Sequence, residues 1–302
     1  MITEEPRTPE EPVRPEEPVH PEEPVHPEEP VRPEGAPPLP SRRDFDTTVA
    51  HPARVWDYWL GGKDNFAADR QAAERVLEVM PAMALIARTG RDFLAVAVRY
   101  LAAEVGIRQF LDIGTGLPTA SNTHEVAQSV APEARVVYVD NDPIVLTHAR
   151  ALLTSHEQGT TAYVDADLRD TGRILAEARQ TLDFRRPVAV MLLAIMHFIP
   201  DEDDPRGIAA KLMEPLPPGS HLVMSHASSD IEAGGLDTAA DRYNSDSAVR
   251  IHMRSAEQVT GLFDGLEIIG PGVVPLGTWR PGPLAAGRQA GLPTYTAVAR
   301  KP

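Results

Sequence analysis

From Pro52 onward, apolar positions recur first at helical and then at strand spacing. Pro52–Leu60 puts Val55, Trp56, Trp59 and Leu60 on one face and stops at Gly61-Gly62. Ala67–Met80 follows and ends at Pro81. A longer helix carries Leu94, Val98, Leu101 and Val105 at helical spacing, with Gly106 as its stop. Beyond Gly106, short β-like runs alternate with helical ones. The strands read as Gln109–Ile113, Arg135–Asp140, Thr161–Val164, Val188–Met196, His221–Ser225, Leu266–Gly270 and Tyr295–Arg300. Most are apolar without alternation, as in parallel strands covered on both faces. Strand–helix alternation predicts a doubly wound α/β sheet. Only a Gly/Pro-rich connection separates the last two strands, so these should pair antiparallel at one end of the sheet.

The first strand runs into Phe110–Thr119, FLDIGTGLPT. A strand ending in Asp-x-Gly-x-Gly makes a turn where the missing Cβ lets a ligand approach the backbone. In a dinucleotide fingerprint the third glycine would fall at position 119, which is Thr, and Pro118 disturbs the entry into a helix that a pyrophosphate needs. Asp112, an acid just before the first glycine, suits a ligand with a cationic amino-acid end and no phosphate. The second strand ends at Asp140, whose carboxylate can accept both hydroxyls of a ribose. Asp142-Pro143 reads as an N-cap followed by proline at the first helical position, which leaves Asp140 for the ligand. The third strand runs into Asp165, Asp167 and Asp170. Hard cations need more oxygens than these three provide, and Asp170 suits a helix cap, so Asp167 is the candidate for an adenine amino group. Asn141 and Leu168, which follow Asp140 and Asp167, are candidates for the same ligand. The fourth strand ends near His197, at the sheet edge where α/β proteins bind ligands. There an imidazole can serve as a general base, wall the substrate pocket or simply pack. His226 after the fifth strand has the same choices. Asp201–Asp204 read as a helix N-terminus responding to the helix dipole rather than as a metal cluster.

Composition changes the picture mainly at the N-terminus. From Pro9 the hexad P-E-E-P-V-[RH] runs four times, and proline at every third position suits polyproline II and forbids helix or sheet ladders. Residues 1–40 hold eleven Glu and three Arg, so about half of the chain's net charge of −15 lies there. Residues 1–42 therefore read as a disordered tail, either a solvated bristle or a ligand for a proline-recognising partner. Residues 43–302 read as one domain, with helices to 106 and the α/β core from 107. The acidic balance argues against a nucleic-acid backbone as main partner. There is no cysteine, no signal peptide and no apolar run of membrane-spanning length, so the expected setting is cytoplasmic.

Taken in order, PARVWDYWLGGKDNFAADR, FLDIGTGLPT with NTHEVAQ, VVYVDNDP, DADLRD, HFIPDEDDP and the late WRP resemble the S-adenosylmethionine-dependent methyltransferase family abundant in actinobacteria. The resemblance spans about residues 43–302. It implies a Rossmann-like class I fold with a seven-stranded sheet, an antiparallel end strand and N-terminal helices over S-adenosylmethionine. By that resemblance Asp112 orients the methionine amino group, and Gly114, Thr115 and Gly116 pass beneath the methionine and ribose. Asp140 then holds the ribose diol and Asp167 the adenine. The resemblance names no acceptor; a small molecule is the expectation. A protein that binds S-adenosylmethionine without turnover and a nicotinamide enzyme on a related fold are the alternatives.

Overall fold

The computed structural model describes residues 46–152, 155–231, 235–247, 249–280 and 291–302. The proline-rich repeats lie outside the described residues. Three helices lead, α1 Pro52–Leu60, α2 Ala67–Val79 and α3 Met83–Tyr100. Local chemistry sets their ends. His51 caps α1 and Pro52 occupies its first turn, while Gly61 at φ 85° closes it in the left-handed region. Asp69, fully buried in the first turn of α2, accepts from Phe66 N at 2.8 Å and from His51 N at 2.9 Å, so one carboxylate fastens the starts of both helices. After Tyr100, α3 widens into a π-helical turn, Leu101–Val105, stopped by Gly106 at φ 85°. The wider turn rotates Val105 out to 38% exposure, so the predicted apolar face ends at Leu101.

The strands are β1 Gln109–Ile113, β2 Arg135–Asp140, β3 Thr160–Asp165, β4 Ala189–Leu193, β5 His221–Ala227, β6 Glu267–Ile268, β7 Val274–Leu276 and β8 Leu292–Arg300. The helices among them are α4 Thr123–Val130, α5 Pro143–Leu152, α6 Thr171–Ala178, α7 Pro205–Met213, α8 Leu236–Asp246 and α9 Ala256–Gly261. The sheet order is β3-β2-β1-β4-β5-β8-β6, parallel from β3 through β5. β8 runs antiparallel to β5 on one side and to both β6 and β7 on the other. The edge beside β8, where Leu266–Gly270 was expected, is thus shared by β6 and β7. β7 lies beyond the predicted strands because Gly272 and Pro275 interrupt its apolar run. The last two predicted strands, now β6 and β8, pair antiparallel at one end of the sheet as expected.

Two apolar layers cover the sheet. Phe110, Val136, Tyr138, Met191 and Val223 face the layer built with α1–α4, whereas Leu111, Val137, Val190 and Leu222 face the layer built with α6 and α7. β4 stops at Leu193, short of the predicted Met196. Ala194 turns to φ 53°, its N–H donates to Ser225 Oγ at 2.9 Å, and Met196–Phe198 forms a 3₁₀ turn. The apolar run continues past the strand because the turn is itself buried, with Met196 fully so; burial without alternation cannot mark where a strand ends. The strand order reverses between β1 and β4. A ligand crevice is expected at their carboxyl ends.

Candidate functional site

A cavity of about 450 Å³ opens at those carboxyl ends and is roofed by α1–α3 and α8. All the predicted site residues line it: Asp112, Gly114, Thr115, Gly116, Asp140, Asn141, Asp167, Leu168 and His197. Gly114 and Gly116 sit at φ 74° and 67°. A Cβ on Gly114 would stand 2.7 Å from Ile195 Cγ1, so this turn needs glycine for its conformation and for the side chain packed on it. α4 begins only at Thr123, so no helix N-terminus follows the glycine turn directly.

Two buried carboxyls frame the turn. Asp112 accepts from Thr123 Oγ1 at 2.6 Å, and burial outweighs that bond and the nearby Arg91 charge to push it up to about 6. Asp140 accepts from Gly116 N at 2.9 Å and from Asp142 N at 3.0 Å, and burial lifts it too to about 6. Asp140 is therefore not free, as the sequence suggested. It already shapes the glycine turn, though each oxygen keeps further accepting capacity. Asp142 caps α5 through Ile144 N at 2.9 Å as expected, and it does more. Its other oxygen meets His51 Nδ1 at 3.1 Å and Arg54 Nε at 3.4 Å, and Arg54 also faces Asp69 at 3.6 Å.

Asp167 is half-buried, accepts from Arg169 N at 2.9 Å and pairs with the Arg169 guanidinium at 3.1 Å, while Leu168 beside it is buried. Asp170 caps α6 and Asp204 caps α7, as their spacing predicted. Asp201 and Asp203 instead pair with Arg254 and Arg169.

His197 sits on the 3₁₀ turn in the cavity wall, 6% exposed. Burial, with His226, Arg254 and His252 around it, holds its imidazole well below the usual histidine range. His226 lies behind the wall and is fully buried, between Ala227 O at 2.8 Å and Arg254 Nη1 at 2.9 Å. Arg254 also donates to Met196 O at 3.2 Å and Ile199 O at 2.8 Å, and so pins the turn that carries His197.

The WDYWLGGKDNF segment forms α1 and its exit. Asp57 accepts from Asn65 Nδ2 at 2.8 Å and Asp64 N at 3.0 Å, and a Cβ on Gly62 would fall 1.9 Å from its carboxylate. Trp279 of the WRP motif stacks edge-on against Phe93 and Tyr100 of α3, with ring centroids 5.6 and 5.8 Å away. Sequence reasoning missed Arg91, whose Nη2 donates to Ser121 O at 3.0 Å beside the glycine turn. Its signal was Gly90-Arg91 inside a helix, where Trp56 packs 3.6 Å from the Cβ position of Gly90.

The residues fit S-adenosylmethionine on structural grounds. A glycine cradle adjoins a desolvated carboxyl suited to an amine, and a second buried acid at the tip of β2 suits a diol. This is the site of a doubly wound protein that binds a nucleoside carrying a cationic amino-acid end. The model of a family described as S-adenosyl methyltransferase matches residues 39–302, and the chain belongs to that family. Its cofactor is S-adenosylmethionine, and the nicotinamide alternative falls. The chain is 47% identical to a DUF574 family protein from Streptomyces avermitilis, over 85% of this chain and 99% of that one, with a TM-score of 0.82. A provisionally assigned methyltransferase from Thermobifida fusca is 39% identical over 85% of this chain and 96% of that one, with a TM-score of 0.77. No curated protein matches. Among the described residues, no helix is long and apolar enough to cross a membrane.

Proposed function

We propose that this methyltransferase acts on a small-molecule acceptor enclosed with the cofactor under the helical cap. The observation that carries this reading is a continuous cavity of about 450 Å³ that joins the glycine turn to an apolar chamber. Its volume is that of a small-molecule site, roughly 300–1,000 Å³. When bound, S-adenosylmethionine supplies a methyl group on a positively charged sulfur. Asp112 holds the amino group of the cofactor. Gly114, Thr115 and Gly116 pass beneath its methionine and ribose, Asp140 and Asn141 take the ribose, and Asp167 and Leu168 border the adenine. His197 touches the acceptor. The cap excludes water and aligns the two reactants, which can supply ~7–11 kcal/mol of the barrier reduction. A cytoplasmic setting accords with the cysteine-free sequence.

Calorimetry of S-adenosylmethionine, S-adenosylhomocysteine and a nicotinamide dinucleotide tests the assignment. The first two should bind and the third should not. Asp140→Ala should lose about 1.5–3 kcal/mol of affinity for each charged hydrogen bond removed. Full affinity in folded Asp140→Ala would remove the ribose role. Release of S-adenosylhomocysteine with a panel of small acceptors tests turnover. Transfer only to a protein or nucleic acid would overturn the small-molecule reading.

A further inference from the structure

We propose that the acceptor is an apolar small molecule whose nucleophilic oxygen binds as its anion, and that His197 donates a hydrogen bond to that oxygen instead of removing a proton from it. This rests on the methyltransferase reading of the cavity. Along α3, Arg91 reaches the turn at Ser121, while Ile86 and Met83 lie about 8 and 12 Å back along the helix at 1.5 Å per residue. That far end is completed by Met80, Phe198, Tyr243 and Ile251. The Phe198 ring lies 4.4 Å from His197 and 6.2 Å from Tyr243, so the imidazole borders the apolar chamber.

The charges around the chamber are one-sided. Among the described residues lining the cavity, Asp112, Asp140 and Asp167 stand at or just beyond the strand tips, and Asp57 is held by Asn65 and the Asp64 N–H. Among the described residues that line the cavity, no carboxylate lies at the Met83 end, so an ammonium acceptor would find no lining counter-ion there and would meet a cationic methyl donor. Guanidinium cations are present instead. Arg250 lines the exposed rim without an acidic partner among the described residues, and His252 lies beside it. Arg254 lies behind His226, its charge shared with Asp201 on the surface. The groups bearing on His197 are therefore His226 from β5 and His252 and Arg254 from the segment before α9, with Asp201 beyond the arginine.

Burial and the Arg254 guanidinium behind His226 oppose a proton on the His197 ring, and that positive charge, working against the cost of burying any ion, favours a negative oxygen beside it. The backbone N–H of Ala227 approaches Nδ1 at 3.5 Å, an orientation that leaves the ring hydrogen on Nε2 as a donor. The acceptor oxyanion forms its bond to the methyl carbon as the carbon–sulfur bond breaks and leaves its pair on sulfur; no proton moves in the step. A phenolate, an enolate and a carboxylate share this chemistry.

The test uses the full chain saturated with S-adenosylhomocysteine, and 4-nitrophenol as a probe whose visible absorbance reports its ionisation. Binding should favour the phenolate by about tenfold and so shift the probe's titration to lower pH. His197→Ala should abolish that shift and His197→Asn, which keeps an N–H donor, should restore part of it. Met83→Glu should weaken phenolate binding and admit phenethylamine. Calorimetry of S-adenosylhomocysteine on each variant reports folding and the cofactor site separately, so failure there indicts the methyltransferase reading and not the acceptor class. A benzoate arm alongside separates phenol-type from carboxylate acceptors; tight binding of either supports the proposal. Binding of neutral 4-nitrophenol with its titration shifted to higher pH, tighter binding of phenethylamine to the wild type, or no anion binding by protein that takes up S-adenosylhomocysteine would overturn it.

Discussion

Lowering the pH from about 7 to about 5 protonates two cavity carboxyls that burial has already raised to about 6, Asp112 and Asp140. In the proposed cofactor complex both are needed as carboxylates, one beside a cationic amine and the other accepting from a diol. The folded protein must therefore give up these protons to bind, so affinity is present above pH 6 and is lost as pH falls through it. Each carboxyl costs about tenfold in affinity over that interval, about 1.4 kcal/mol, and the pair about a hundredfold. His221 and His226 do not confuse the readout: burial holds both down to about 4, so they stay neutral in the folded protein over this range. Calorimetry of S-adenosylhomocysteine from pH 7 to 5 reads the loss, and repeating it near pH 6 in buffers of different ionisation enthalpy counts protons. About one proton should leave per molecule bound, half from each carboxyl. An affinity that is flat with pH, or proton uptake on binding, would refute the assignment of both carboxyls to the cofactor.

Asp142→Ala should destabilise the fold by about 3 kcal/mol, well beyond the ~1 kcal/mol of a lost N-cap, because Arg54 keeps only Asp69 as a buried counter-charge; chemical denaturation checks this, and a loss near 1 kcal/mol would show that the cap is its whole role. Gly62→Ala should lower the melting temperature because its methyl meets the Asp57 carboxylate, whereas Gly61→Ala, with open space around its Cβ, carries only the strain of a left-handed backbone. Equal effects at the two positions would contradict the clamp. Removing residues 1–38 should leave the melting temperature and cofactor affinity unchanged, since the described residues form a compact unit without them; a shift in either would show that the repeats dock on the domain.

The parallel half of the sheet was legible because each strand is an apolar run, closed in β1, β2 and β3 by a glycine or an acid. The edge beyond β8 was not, because β6 and β7 are only two and three residues long and divide one strand position between them. The strand-tip lining of the cavity was readable for a related reason: Asp112, the two glycines and Asp140 lie within a few residues of strand ends that the pattern itself locates. Arg54, Asp57, Asp69 and Arg91 were hidden. Their partners are 7 to 88 residues away in the chain for Asp57, Arg91 and Arg54 alike, and nothing in the spacing of α1 to α3 says which charged residues turn inward. Charged residues on the apolar face of α1 were the available signal, since Arg54 and Asp57 are buried beside Val55 and Trp59.

These hidden residues join the cap to the cofactor turn. Asp142 N donates to Asp140 while the Asp142 carboxylate faces Arg54 and His51 at the start of α1, and Asp69 fixes the start of α2 to the same point. The glycine turn and the helices that roof the cavity are thus held from one short segment, Asp140–Asp142. Burying Arg54 against two acids is a costly way to stabilise a helix, for a well-packed apolar residue of similar volume often serves as well or better. What the ion cluster adds is direction. An apolar contact tolerates sliding, whereas Asp142 is fixed from one side by its backbone bond to Asp140 and from the other by Arg54 and His51. A ligand that orders Asp140 therefore also orders the base of α1, the helix that carries Trp56 to the cavity wall.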